Sequence, residues 1–126
     1  MSRSTKKENL LFCIVSTLIS TFGILLILKS NGFYPFKEVT LFTFDMKEQY
    51  LPFFSSLHDL IGGDDSIFFH WSKSLGGNYI GLYAYYLASP FSWLTTLFSI
   101  EKLPLAIFLM TVSKISLSGL TFSVYV

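Results

Sequence analysis

LLFCIVSTLISTFGILLIL, Leu10–Leu28, runs for 19 residues without a charge. As a helix rising about 1.5 Å per residue it reaches about 28 Å, close to the ~30 Å of bilayer hydrocarbon. A secretory signal peptide has a shorter apolar core and a small-x-small cleavage site. This run closes on Leu26, Ile27 and Leu28 and meets Lys29, so it reads as an uncleaved transmembrane helix. Cys13 lies inside it behind Phe12, where a lipoprotein signal needs a small residue, and reads as a small buried hydrophobe. As the single cysteine it excludes an intrachain disulfide and a cysteine-based zinc site.

Toward the N-terminus, residues 1–9 form a polar tail with Arg3, Lys6 and Lys7 against Glu8. A basic tail before a first span places the N-terminus in the cytoplasm and the chain after Leu28 outside. The composition agrees with a membrane protein. Of 126 residues 52% are hydrophobic and only 13% charged, where soluble domains carry about 25% charged residues. The net charge of +1 says nothing of a nucleic-acid partner, but there is no basic stripe to bind phosphate backbones, and no such partner is expected.

Toward the C-terminus, residues 29–78 read as one extracytoplasmic loop, holding six of the eight acidic residues and both histidines. Ser30-Asn31-Gly32 and Tyr34-Pro35 are turn signals. Val39–Phe44 alternates as a short strand or an extended strap would. From Met46 to Ile61, apolar residues at 46, 50, 53, 54, 57, 60 and 61 recur at helical spacing. That predicts an amphipathic helix in the membrane interface, kinked by Pro52 after its first turn and ended by Gly62-Gly63. Ile67, Phe69 and Trp71 suit an extended piece, and Gly76-Gly77-Asn78 a tight turn.

Residues 79–100 are again apolar and uncharged, with Tyr79, Tyr83, Tyr85 and Tyr86 as interfacial aromatics. Ser89-Pro90 interrupts them, so they read as a second transmembrane helix or a re-entrant segment. Glu101-Lys102 is a short polar break, placed on the cytoplasmic side if 79–100 spans. Residues 103–126 form a third apolar stretch with Pro104 in its first turn. It reaches Val126 without a polar tail, as the N-terminal piece of a longer protein would. The expected fold is an all-α integral membrane protein with about three apolar spans and one large outer loop.

Asp45 is the first candidate for chemistry. It stands between an extended run and a helical one, beside the expected bilayer surface. Desolvation there favours a carboxylate taking up a proton, as a general base must. Asp45 and Glu48 also fit a capping box, a structural role worth about 1 kcal/mol, and the two readings are compatible. Lys73 and His70 precede the Gly76-Gly77 turn, where a lysine beside flexible backbone amides suits phosphate, although an exposed interfacial lysine needs no ligand. Lys114 falls in the middle of the third apolar stretch at a cost of roughly 2.5–3.5 kcal/mol, so it faces a partner group or cavity. His58 and His70 lack metal-site spacing, and no nucleotide loop, nucleophile elbow or HExxH is present.

Three runs together resemble the YfhO-type family of bacterial membrane proteins. They are TFDMKEQY (43–50) followed by Phe53-Phe54, WSKSLGGN (71–78), and AYYLASPF (84–91). The resemblance covers about residues 10–126. It implies a GT-C-like multispanning glycosyltransferase of the bacterial cell membrane, of which this chain is the N-terminal part. Such an enzyme takes a sugar from a polyprenyl-phosphate carrier at the outer face. The implied acceptor is an envelope polymer such as teichoic or lipoteichoic acid. Asp45 matches the outer-loop acid and would act as general base or orienting acid, with a divalent cation possible. Glu48, Tyr50, His70 and Lys73 would contact substrate, and further spans would supply the lipid groove. From the residues alone a transporter or flippase component, suggested by Lys114 and Pro90, or a non-catalytic truncated membrane protein stays open.

Overall fold

The computed structural model describes residues 3–63, 66–70 and 76–126, with side chains from residue 6 onward. The described residues are helical, with no strand; the only ladder pairings are isolated bridges joining Phe33 to Val39 and His70 to Gly77. Two helices are long and apolar enough to cross a membrane, Lys6–Ser30 and Ile100–Tyr125. The chain divides into two compact units, residues 1–39 with 108–126, and residues 40–107.

The first unit pairs α1 (Arg3–Ser30) with most of α4 (Leu103–Tyr125). α1 ends where the sequence put a turn. Gly32, at φ +71°, gives its N–H to the Lys29 carbonyl (3.1 Å), and Phe33 gives its N–H to Leu28 (2.9 Å). This left-handed glycine closure satisfies carbonyls the helix leaves open. The two helices meet through small residues: Ser16 Oγ donates to the Gly119 carbonyl (3.0 Å) and Thr21 Oγ1 to Ser116 Oγ (2.7 Å). Between apolar helices in lipid, close backbone approach and such bonds replace the hydrophobic effect as the source of association. The Phe36 ring meets Phe108 edge-on at 6.0 Å.

The second unit is built on α2 (Leu51–Gly62), preceded by one π-helical turn, Met46–Tyr50. The Leu51 N–H bonds the Met46 carbonyl five residues back, and Pro52 then occupies the first turn of α2. Proline has no N–H to give to Glu48, so the register widens before it; the expected irregularity takes this form. Gly63, at φ +86°, ends the helix. Of the short strand or extended strap expected at 39–44, the strand does not form. After the Tyr34 N–H···Val39 carbonyl bond (2.6 Å), the chain is an irregular strap.

The single helix expected over 79–100 is replaced by short pieces: α3 (Tyr79–Leu82), a π-helical turn (Tyr83–Leu87), and a 3₁₀ helix (Pro90–Leu97). Asn78 caps α3, its side chain accepting the Ile80 N–H (2.9 Å). Ser89 is extended at ψ 132°, as a residue before proline prefers, and this breaks the run. These pieces follow α2. Tyr79 lines a cleft with Leu57 and Leu60, Tyr86 bonds Gln49, and Ile100 and Glu101 line a crevice with Leu51 and Pro52. A 12-residue helix is about 18 Å long, against ~30 Å of hydrocarbon. Both ends of the 79–100 run thus border α2, a helix shorter than the hydrocarbon is thick.

Candidate functional site

The backbone around Asp45 is unusual. Phe44 takes φ +47°, a left-handed conformation rare for a bulky residue, and its ring is 90% exposed. So turned, the Phe44 carbonyl accepts the N–H groups of Lys47 (3.0 Å) and Glu48 (3.1 Å), and the Thr43 carbonyl accepts that of Met46 (3.1 Å). The first donors of the π turn are therefore satisfied by main chain. Asp45 itself is helical (φ −57°, ψ −29°) and makes no side-chain cap bond. The capping box expected from Asp45 and Glu48 does not form, because its work has been done by the strap before it.

The Asp45 carboxylate is exposed and faces along the turn. Gln49 Nε2 donates to Asp45 Oδ1 at 3.5 Å, and Tyr86 Oη donates to Gln49 Oε1 at 3.2 Å. Behind that chain stands an aromatic cluster. The Tyr86 ring lies 5.3 Å from Tyr50, 4.8 Å from Phe53 and 4.6 Å from Tyr85, and Tyr50 lies 6.4 Å from Phe54. Edge-on aromatic contacts of this kind add about 0.5–1.5 kcal/mol each beyond area burial. They fasten residues 84–91 to 43–54, so two of the three sequence runs form one body. Tyr50 belongs to this cluster and is only half-buried; Glu48 is exposed. Lys47, on the same turn, lines a crevice of about 440 Å³ with Phe42, Leu51, Ser55, Ile100 and Glu101.

The remaining candidates lie elsewhere. His70 is 4% exposed, its ring 5.5 Å from that of Tyr79, which flanks the opposite end of α2. Its backbone exchanges two bonds with Gly77, at 2.9 and 3.0 Å. Lys73, with Trp71, Ser72, Ser74 and Leu75, lies outside the described residues. Lys114 is an exposed side chain on α4 in the first unit. Among the described residues no group of three His, Cys, Asp or Glu side chains converges as a metal site. Asp45 is exposed, so the described residues do not supply the desolvation expected of it. Gln49 and Tyr86 were missed from sequence. Gln49 had a signal, four residues after Asp45 on a helical face; Tyr86, 37 residues beyond Gln49, had none.

Residues 16–126 match the family described as bacterial membrane protein YfhO. No curated protein and no solved structure matches the chain.

Proposed function

The chain belongs to the YfhO family of bacterial membrane proteins, and from that premise we propose that it forms part of a membrane glycosyltransferase acting at the outer face. In this reading a sugar passes from a polyprenyl-phosphate carrier to a hydroxyl of an envelope polymer of the teichoic or lipoteichoic type. Asp45 takes the hydroxyl proton as the acceptor oxygen bonds to the anomeric carbon. The bond from that carbon to the carrier phosphate breaks, and polyprenyl phosphate leaves with the electron pair. Lys73 would meet the phosphate, with Glu48, Tyr50 and His70 as further substrate contacts. Two spans cannot enclose a long lipid carrier, so the groove needs additional helices of a GT-C-like fold.

The observation that supports this most is the freedom of Asp45 from structural duty. Main-chain carbonyls cap the turn, and the exposed carboxylate has Gln49 Nε2 3.5 Å away, itself bonded to Tyr86. The left-handed Phe44 beside it supplies the cap that Asp45 would otherwise provide. General acid–base catalysis contributes about 10²–10⁴-fold. Asp45→Asn in the full-length protein should therefore lower glycosylation of the envelope polymer at least a hundredfold, with the protein present at its normal level. Asp45→Ser should fail equally. Normal glycosylation in Asp45→Asn, or rescue by the helix-capping serine, would remove Asp45 from the chemistry.

A further inference from the structure

We infer that residues 79–102 form an interfacial membrane segment that does not cross the bilayer: it turns Trp93, Leu97 and Ile100 into lipid, and Lys102 lies on the same side as Lys47. The inference does not depend on the sugar-transfer reading.

The polarity of the 3₁₀ helix is inverted. Ser92 and Thr95 are 2% and 0% exposed, whereas Leu97 is 77%, Ile100 49% and Trp93 46% exposed. The inward side is a hydrogen-bonded seam: Thr95 Oγ1 donates to the Ser92 carbonyl (2.7 Å), and His58 Nε2 lies 3.0 Å from the Thr95 carbonyl. A segment built for water would turn the hydroxyls out and the leucine in. Burying small polar groups in satisfied bonds while presenting large apolar ones suits hydrocarbon, where every polar group must be bonded internally.

Four further features fix lipid as the occupant. From Tyr79 to Ile100 there is no Asp, Glu, Lys or Arg, so the face offers no charge to a soluble partner or to water. In a 3₁₀ helix residues three apart eclipse, so Leu94 and Leu97 form one row on it. Exposed Ile100 opens the membrane-length helix Ile100–Tyr125, so the chain passes from this face directly into a segment that itself suits lipid. Trp93 Nε1 donates to Tyr83 Oη at 3.1 Å, leaving the indole with its apolar body outward and its N–H satisfied. Such an amphipathic pair suits the headgroup level.

The same-side placement follows from α2. Tyr79 and Ile80 line a cleft with Leu57 and Leu60, His58 Nε2 lies 3.0 Å from the Thr95 carbonyl, and Ile100 and Glu101 line a crevice with Leu51 and Pro52, all within one unit. A segment with its ends on opposite faces of the membrane cannot meet a single short helix at both.

The test uses the full-length protein with its native cysteines replaced by serine and one new cysteine at a time, Lys47→Cys or Lys102→Cys. Both positions are exposed. Intact cells, and vesicles of inverted orientation, are treated with a membrane-impermeant maleimide. Both cysteines should label from one and the same side. Labelling of Lys102→Cys only from the side opposite Lys47→Cys overturns the inference and restores a crossing at 79–100. In parallel, a form with Trp93 as its only tryptophan is placed in vesicles of brominated phosphatidylcholine. Trp93 should lose most of its emission relative to unbrominated vesicles. Full emission overturns the lipid-facing assignment and shows that protein covers this face. If both cysteines label only from the cytosol, the interfacial placement stands while the proposed outer-face sugar transfer falls, so the two readings fail separately.

Discussion

Gly119 makes the helix pairing of the first unit testable to a single methyl group. A Cβ at Gly119 would overlap the Ser20 hydroxyl and stand 2.8 Å from Ser20 Cβ and 3.2 Å from the Ser16 carbonyl oxygen. The hydroxyl can rotate away; Cβ and the main-chain oxygen move only if the helices part. Overpacking of this kind costs about 1–3 kcal/mol. Parting also loosens the Ser16–Gly119 and Thr21–Ser116 bonds, worth about 0.6 kcal/mol each in a bilayer. Alanine returns about 1 kcal/mol of helix propensity. The net expectation for Gly119→Ala is a destabilisation of about 1–3 kcal/mol. Ser20→Gly removes both obstructing side-chain atoms. In that background only the 3.2 Å contact to the Ser16 oxygen remains, so Gly119→Ala should be close to neutral and the double-mutant cycle should give a coupling of about 1–3 kcal/mol. The four proteins are compared by reversible unfolding in dodecylmaltoside–SDS micelles, followed by far-UV circular dichroism. Additivity within about 0.5 kcal/mol, or a Gly119→Ala protein more stable than the parent, refutes the close approach.

Phe44→Gly should stabilise the second unit by about 0.5–1 kcal/mol in denaturant melts, because relief of a left-handed bulky residue outweighs the added unfolded-state entropy of glycine; the ring is 90% exposed and little burial is lost. Gly76→Ala should do the reverse. Gly76 sits at φ +90°, and a Cβ there would run into the Phe69 ring, so a local cost of about 2–4 kcal/mol is expected. It should appear as faster hydrogen exchange at the paired amides of His70 and Gly77, and unchanged exchange there would refute it.

Much of the fold was legible because it rests on local rules. The uncharged run at 10–28 and the glycine turn after it appear where expected, as do the glycine stop of α2, Pro104 in the first turn of α4, and the break at Ser89-Pro90. The course of 79–100 was not legible. Hydropathy counts apolar side chains without regard to whether one helix carries them, and 22 apolar residues span only when their rise adds along a single axis. Here Pro90 turns the chain, and the short pieces lie along α2. The signal was present in a weaker form: Ser92, Thr95 and Thr96 recur among the apolar residues, and two of them form the side turned inward.

The candidate site divides in the same way. Asp45 was visible as a carboxylate at a junction, but its helix-capping explanation failed on a feature no propensity rule supplies. A left-handed backbone is expected at glycine or asparagine, and sequence reasoning has no ground to place one at a phenylalanine. Once Phe44 adopts it, its carbonyl reaches the N–H groups of Lys47 and Glu48, and the carboxylate next door loses its structural task. Tyr86 then reaches that carboxylate through Gln49, across a separation of 37 residues, which only the folded chain can close. Two separate departures from local expectation, a strained turn and an aromatic anchor from a distant run, therefore meet at one side chain. Local rules hold where folding alone is served, and the sites where they fail together are where function is expected to have set the geometry.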